Sequence, residues 1–169
     1  MSVTISESGL LFGEYEESEL FHVEKSTIYK SLGDGICTVE FVLRRSLNEI
    51  LFVEAKSSSP KPNNREDFDE FITGVCEKFA HSIDIFFSLV LRRLDDRKNE
   101  MPASFREVEY STSRLKLVLV IKGHDIRWLS PINDAIKRKL QRQLKTWLLE
   151  IAVMNHDLAD EYGLLKLGG

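Results

Sequence analysis

The stretch from Cys37 to Ser59 restricts the fold of this chain more than any other. Two segments rich in β-branched and aromatic residues flank Ser46-Leu47-Asn48, and the pattern predicts a hairpin with strands over residues 36–45 and 49–56. A turn centred on Leu47 sets Glu40 opposite Glu54, Phe41 opposite Val53 and Arg45 opposite Glu49. Asn48 is then the last residue of a three-residue loop, where a left-handed conformation is wanted and Asn tolerates it. With a side-chain period of two, Thr38, Glu40, Glu54 and Lys56 share one face. Val39, Phe41, Leu43, Leu51, Val53 and Ala55 share the other. One face is expected to be core, and the other to carry chemistry or water.

The elements that follow are expected to build around this hairpin. Residues 57–64, with Pro60 and Pro62, form a loop ending in Asn64, a candidate helix cap. Phe68, Phe71, Ile72, Val75, Phe79, Ile83, Phe86, Val90 and Leu94 then recur at three- and four-residue intervals, predicting a long helix. Its additional apolar residues Phe87 and Leu89 point to a second buried face or a subunit contact. A polar connection over residues 98–113 precedes the apolar run 115–122, a buried strand ended by Gly123. Ile136, Leu140, Leu144, Trp147 and Leu148 mark the apolar stripe of a further helix, residues 151–154 a last strand, and Asp157 a cap for a final turn through Tyr162. Upstream, residues 26–32 have helical character and Gly33-Asp34-Gly35 is a turn, while residues 10–12 and 20–23 fit strand or helix equally. The order predicts one domain over residues 1–169, an α/β fold with a mixed sheet in which a hairpin comes first and crossovers follow.

Composition narrows the class. The chain has 169 residues, 43% hydrophobic and 30% charged, ordinary for a globular protein with its own core. No apolar run reaches the about 18 residues of a membrane span and no signal-peptide pattern opens the chain, so a cytoplasmic protein is expected. Cys37 and Cys76 lack metal-ligand spacing and are expected to be buried thiols. The net charge of −4 conceals an asymmetry. Glu7, Glu14, Glu16, Glu17, Glu19 and Glu24 precede the first Lys or Arg, whereas residues 127–145 hold six bases and the single acid Asp134. A polyanion can meet that basic side despite the acidic total.

Facing carboxylates cost about 0.2–1 kcal/mol unless a cation lies between them. Mg²⁺ would supply one, since it takes oxygen ligands and commonly uses one or two carboxylates. Glu40, Glu54 and the backbone carbonyl of Ala55 are the candidate metal ligands. Lys56 is the candidate to orient or deprotonate a water, or to steady charge developing on a phosphate.

Glu40 on one strand and Phe52-Val53-Glu54-Ala55-Lys56-Ser57-Ser58 on the next resemble the catalytic hairpin of the PD-(D/E)xK restriction-endonuclease-like nuclease superfamily. The resemblance implies an α-β-β-β-α-β core, here within about residues 20–154, and cleavage of nucleic acid, usually DNA, dependent on Mg²⁺ or Mn²⁺. By position it implies Glu40, Glu54 and Lys56 as catalytic residues. Glu40 stands where the family usually has Asp, a methylene shorter. Many members carry an acid on the first helix, and Glu24, then Glu19, is the candidate here. The alternative expectation is a catalytically inactive, nuclease-like binding or assembly subunit of a larger defence or repair complex, or a homodimer.

Candidates for phosphate contact are Ser57, Ser58 and Lys61, directly after the second strand, and the basic residues Lys137, Arg138, Lys139, Arg142 and Lys145. Lys78 on the long helix reads as a surface lysine; the alternative, implied by the resemblance, is a polar residue pointing back to the site. His22, His81, His124 and His156 show no zinc-type spacing and read as structural. There is no nucleophile elbow and no glycine-rich phosphate loop, which disfavours acyl transfer and Walker-type nucleotide hydrolysis.

Overall fold

A computed structural model of the chain describes residues 1–166. The acidic N-terminal stretch, whose boundaries the sequence leaves open, folds as an antiparallel hairpin of β1 (Ser2–Glu7) and β2 (Leu10–Glu16). Ser8 and Gly9 make its turn, both with positive φ (51° and 74°), the region glycine adopts without penalty. A short strand β3 (Leu20–Phe21), a 3₁₀ turn (Val23–Lys25) and a helix α1 (Thr27–Ser31) follow. The Ser26 hydroxyl caps α1 by accepting from the Tyr29 N–H at 3.1 Å.

The central sheet has five strands in the order β3, β4 (Phe41–Ser46), β5 (Glu49–Lys56), β6 (Arg114–Ile121), β7 (Leu149–Asn155). The first three run antiparallel and the last three parallel, so the sheet is mixed. Parallel neighbours need crossovers. These are α2 (Arg65–Val90), then α3 (Leu129–Lys139) with α4 (Gln141–Trp147). A final helix α5 (His156–Glu161) is capped by the Asn155 side chain, which accepts from the Leu158 N–H, and not by Asp157. No described helix, including the 26-residue α2, is long and apolar enough to cross a membrane.

Both faces of the sheet are core, which corrects the expectation of one apolar and one chemical face. Val42, Ile50 and Phe52 pack under α2 and α3 with Phe79, Phe86 and Ile136. Phe41, Leu43, Leu51, Val53 and Ala55 pack under the β1–β2 hairpin and α5 with Ile5, Phe12 and Ala159. Val39 joins the first of these cores, not the second. Phe52 and Phe86 meet edge to face at 5.3 Å. Phe87 and Leu89 are buried within the chain, with Phe87 stacked on Trp147 at 4.6 Å, so of the two expectations for them the second buried face holds.

Several expected details differ. The register pairs Phe41 with Val53 as expected, but a bulge at the turn places Ser46, not Arg45, opposite Glu49. Arg45 lies on the Tyr162 ring, 3.7 Å from its centroid, and donates to the Tyr162 carbonyl, while its Nε keeps the expected charge pair with Glu49 Oε2 at 3.9 Å. Asn48 is not among the residues with positive φ, because the bulge provides the local twist that a left-handed residue would otherwise supply. Asn64 precedes α2 but makes no capping hydrogen bond. Its side chain is engaged by Asp67. The connection after α2 is not merely polar, since Met101 and Phe105 are fully buried and the Glu100 carboxylate accepts from the Thr27 N–H at the start of α1. The apolar stripe after β6 is interrupted at Leu140, and Leu148, with φ 52°, is exposed.

Candidate functional site

The first strand of the hairpin begins at Phe41, five residues later than its sequence suggests, for a specific reason. The preceding N–H groups bond to α2 and not to β5. Cys37 N–H donates to His81 Nδ1 at 3.1 Å, and Val39 N–H to the buried Ser82 hydroxyl at 2.9 Å. The sheet regains the chain at Glu40, whose N–H donates to the Val53 carbonyl at 3.1 Å. Lys78, His81 and Ser82 lie three and four residues apart, on one face of the helix. That polar stripe holds residues 37–40 against the helix and brings Glu40 beside Lys78.

Glu54 ends inside the protein with no exposed surface. Lys56 Nζ and Lys78 Nζ each lie 2.9 Å from its Oε1, and Lys78 Nζ is 3.9 Å from Glu40 Oε1. The cation between the two carboxylates is therefore an ammonium group of the protein. Lys78 is not the surface lysine that the sequence suggests. Burial pulls its pKa down, but the charge and hydrogen bond of Glu54, with the charges of Glu40 and Glu24, leave it above the ordinary value. It stays protonated at neutral pH and acts as a fixed positive charge.

Glu40 has a different environment. It is buried, and its Oε2, like Glu54 Oε2, has no hydrogen-bond partner, but no ammonium group among the described residues comes closer to the Glu40 carboxylate than 3.9 Å. Burial, a hydrogen bond shared with Glu24, and the charges of Glu54 and Glu24 push its carboxyl up to about 8, against the opposing pull of Lys78. Glu24, on the 3₁₀ turn before α1, and Glu7, at the end of β1, bring carboxyl oxygens within 4.8 Å of one another and of Glu40. Glu19 lies elsewhere, paired with Arg44 at 3.6 Å. The Ala55 carbonyl, an expected ligand, accepts from the Ser8 hydroxyl at 3.1 Å.

Outside Glu54 lies a cleft of about 510 Å³ whose lining includes Cys37, Lys56, Pro60, Phe71 and Lys78, with Asp67 and Glu70 at its rim. Ser57, Ser58 and Lys61 are exposed beside it on the loop after Lys56. Lys137, Arg138, Lys139, Arg142 and Lys145 are exposed on α3 and α4 and enter no ion pair with described residues. They do not line this cleft; Lys137, Arg138 and Lys145 surround a separate depression of about 580 Å³. Cys76 is buried and Cys37 half-buried, both free, and burial raises both thiols, Cys76 to about 12.

The structure thus gathers Glu24, Glu40, Glu54 and Lys56 from the expected set and adds Lys78 and Glu7. The signal for Lys78 was available as the polar spacing Lys78, His81, Ser82 within an apolar helix. Nothing in the sequence singles out Glu7, which reaches the site only because the first hairpin packs over the second. Comparison with family models, with curated proteins and with solved structures returns no match.

Proposed function

We propose that this protein is a metal-dependent nuclease that hydrolyses phosphodiester bonds of nucleic acid, most readily DNA. The observation that carries the reading is the meeting of Glu40, Glu54, Lys56 and Lys78 at one end of the β4–β5 hairpin, against a cleft lined by both lysines. The order of elements supports it in part: α1, the β4–β5 hairpin, α2 and β6 come in the order of the expected α-β-β-β-α-β core, but the third antiparallel strand, β3, precedes α1 instead of following it. The donor set suits Mg²⁺ or Mn²⁺, because Glu40 is a buried carboxylate short of positive charge and its neighbours offer only oxygen. When bound, such an ion activates water and polarises a phosphoryl oxygen.

The remaining roles fall to the chain's own residues. Glu54 positions Lys56 and Lys78 by holding both ammonium groups at 2.9 Å. Lys56 orients the attacking water, and Lys78 stabilises charge on the phosphate as a permanent cation. Ser57, Ser58 and Lys61 extend this contact along the backbone of the substrate, and Lys137, Arg138 and Arg142 supply a second basic contact.

Incubation of plasmid, linear and single-stranded DNA and of RNA with the protein, in Mg²⁺, Mn²⁺ or EDTA, tests the reading. Lys56→Ala should slow metal-dependent cleavage by about 10²–10⁴-fold, the usual range for a positioned proton-transfer group, and Glu54→Ala should do no better. Equal cleavage by the wild type and both variants would sink the proposal. Asp67 and Glu70 at the cleft rim favour a second reading, a nuclease-like binding or assembly subunit. A folded protein that takes up no Mn²⁺ in calorimetry and cuts nothing would establish that alternative over the first.

A further inference from the structure

The β1–β2 hairpin brings one more carboxylate to the site. We propose that Glu7, Glu24 and Glu40 form the divalent-cation site of this protein and that the ion does not sit between Glu40 and Glu54. The inference deepens the nuclease reading and rests on it for the purpose of the ion.

Three observations carry it. The carboxyl oxygens of Glu7, Glu24 and Glu40 lie within 4.8 Å of one another. Ligands at about 2.1 Å from an octahedral ion are about 4.2 Å apart across it and about 3.0 Å apart when adjacent, so the side chains must close on at least two of the three pairs to seat one ion. Second, Glu40, one of the three, is only 6% exposed, and its Oε2 has no hydrogen-bond partner. Third, positive charge near the three acids is sparse. Lys25 Nζ stands 3.5 Å from Glu7 Oε1 on a side chain that is 62% exposed, and Lys78 Nζ is 3.9 Å from Glu40 Oε1.

Glu54 offers the contrast. Its Oε1 already has two ammonium groups at 2.9 Å, and the neighbouring Ala55 carbonyl is taken by the Ser8 hydroxyl. An ion at that position would have to displace Lys78 and face its charge. The same Ser8 contact pins the tip of the first hairpin onto β5, so Glu7 is held at the site and does not merely pass by it. A donor set of carboxylate oxygens suits a hard cation such as Mg²⁺, Mn²⁺ or Ca²⁺.

Mn²⁺ titration of the full chain, followed by calorimetry and by the electron paramagnetic resonance signal of free Mn²⁺, tests the site in Glu7→Gln, Glu24→Gln and Glu54→Gln variants. Circular dichroism in EDTA checks that each variant folds. Glu7→Gln and Glu24→Gln should each weaken Mn²⁺ binding by at least about tenfold, the lower end of what loss of even an outer partner costs a metal site. Glu54→Gln should weaken it by less than either, since Glu54 reaches the site only through its charge and through Lys78. The proposal is overturned if the wild type binds no Mn²⁺, if folded Glu7→Gln binds as the wild type does, or if Glu54→Gln loses as much as Glu7→Gln. Mn²⁺ binding lost in Glu7→Gln, together with no cleavage by the wild type, supports this site and removes the nuclease reading.

Discussion

Strand β5 carries a charged cluster at each end, and the two differ in balance. At its start, Glu49 and Glu150 are matched by Arg45, Arg114 and Lys116. Arg114 holds Glu150 through two hydrogen bonds of 3.1 Å, which keep the Glu150 carboxyl below its ordinary value. At its end, the four acids Glu7, Glu24, Glu40 and Glu54 face three lysines, Lys25, Lys56 and Lys78. There Glu40 is pushed up to about 8. Both clusters contain like charges at close range, so proximity of acids does not distinguish them. The excess of acid over available cation does, and it marks the second cluster as the place where an external cation would gain most.

Breaking each cluster at one cation should sharpen the contrast. Lys78→Met leaves Glu54 with Lys56 alone and removes the cation nearest Glu40. Loss of one partner from a buried ion pair costs about 3–5 kcal/mol. Urea unfolding should therefore show the largest loss of stability for this variant, and a midpoint like that of the wild type would refute the view of Lys78 as a buried clamp.

The second expected effect is of pH. Because the folded state holds the Glu40 proton up to about 8, above its value in the unfolded chain, the folded state binds more protons between those two values. Stability from this group is fully present at acid pH and declines as pH rises toward about 8. Thermal melts in EDTA should show that decline, and Mn²⁺ should reduce it by favouring the ionised carboxylate. A metal-free protein whose stability rises steadily over the same window would contradict the assignment of Glu40.

The smallest effect belongs to the balanced cluster. Arg114→Ala removes an exposed partner of two acids that keep Lys116 and Arg45. Solvent screening leaves such surface pairs little to contribute. Its unfolding midpoint should stay close to that of the wild type, and a loss comparable with Lys78→Met would show that the two ends of β5 are not different in kind.

Much of the fold is legible along the chain because its signals are local. The alternation in β4 and β5, the helical spacing from Phe68 to Val90 and the unbroken apolar run of β6 each depend on neighbours a few residues away. Where the expected details failed, a distant group had taken a local partner. Cys37 and Val39 read as strand, but His81 and Ser82 take their N–H groups. Arg45 reads as the strand partner of Glu49, but a bulge puts Ser46 there and the Arg45 guanidinium lies on Tyr162, keeping only its charge pair with Glu49.

The same division runs through the site. Sequence by itself determined that Glu40, Glu54 and Lys56 would lie close together, since hairpin register is set by the turn and by the apolar pattern. It could not determine which charges would surround them. That was decided when α2 crossed the hairpin and delivered Lys78 to Glu54, and when the first hairpin folded over the second and placed Glu7 beside Glu40. The physical reason is range. Backbone pairing and side-chain periodicity act between near neighbours in sequence, whereas the field at a buried carboxylate is the sum over every charge that packing brings near it.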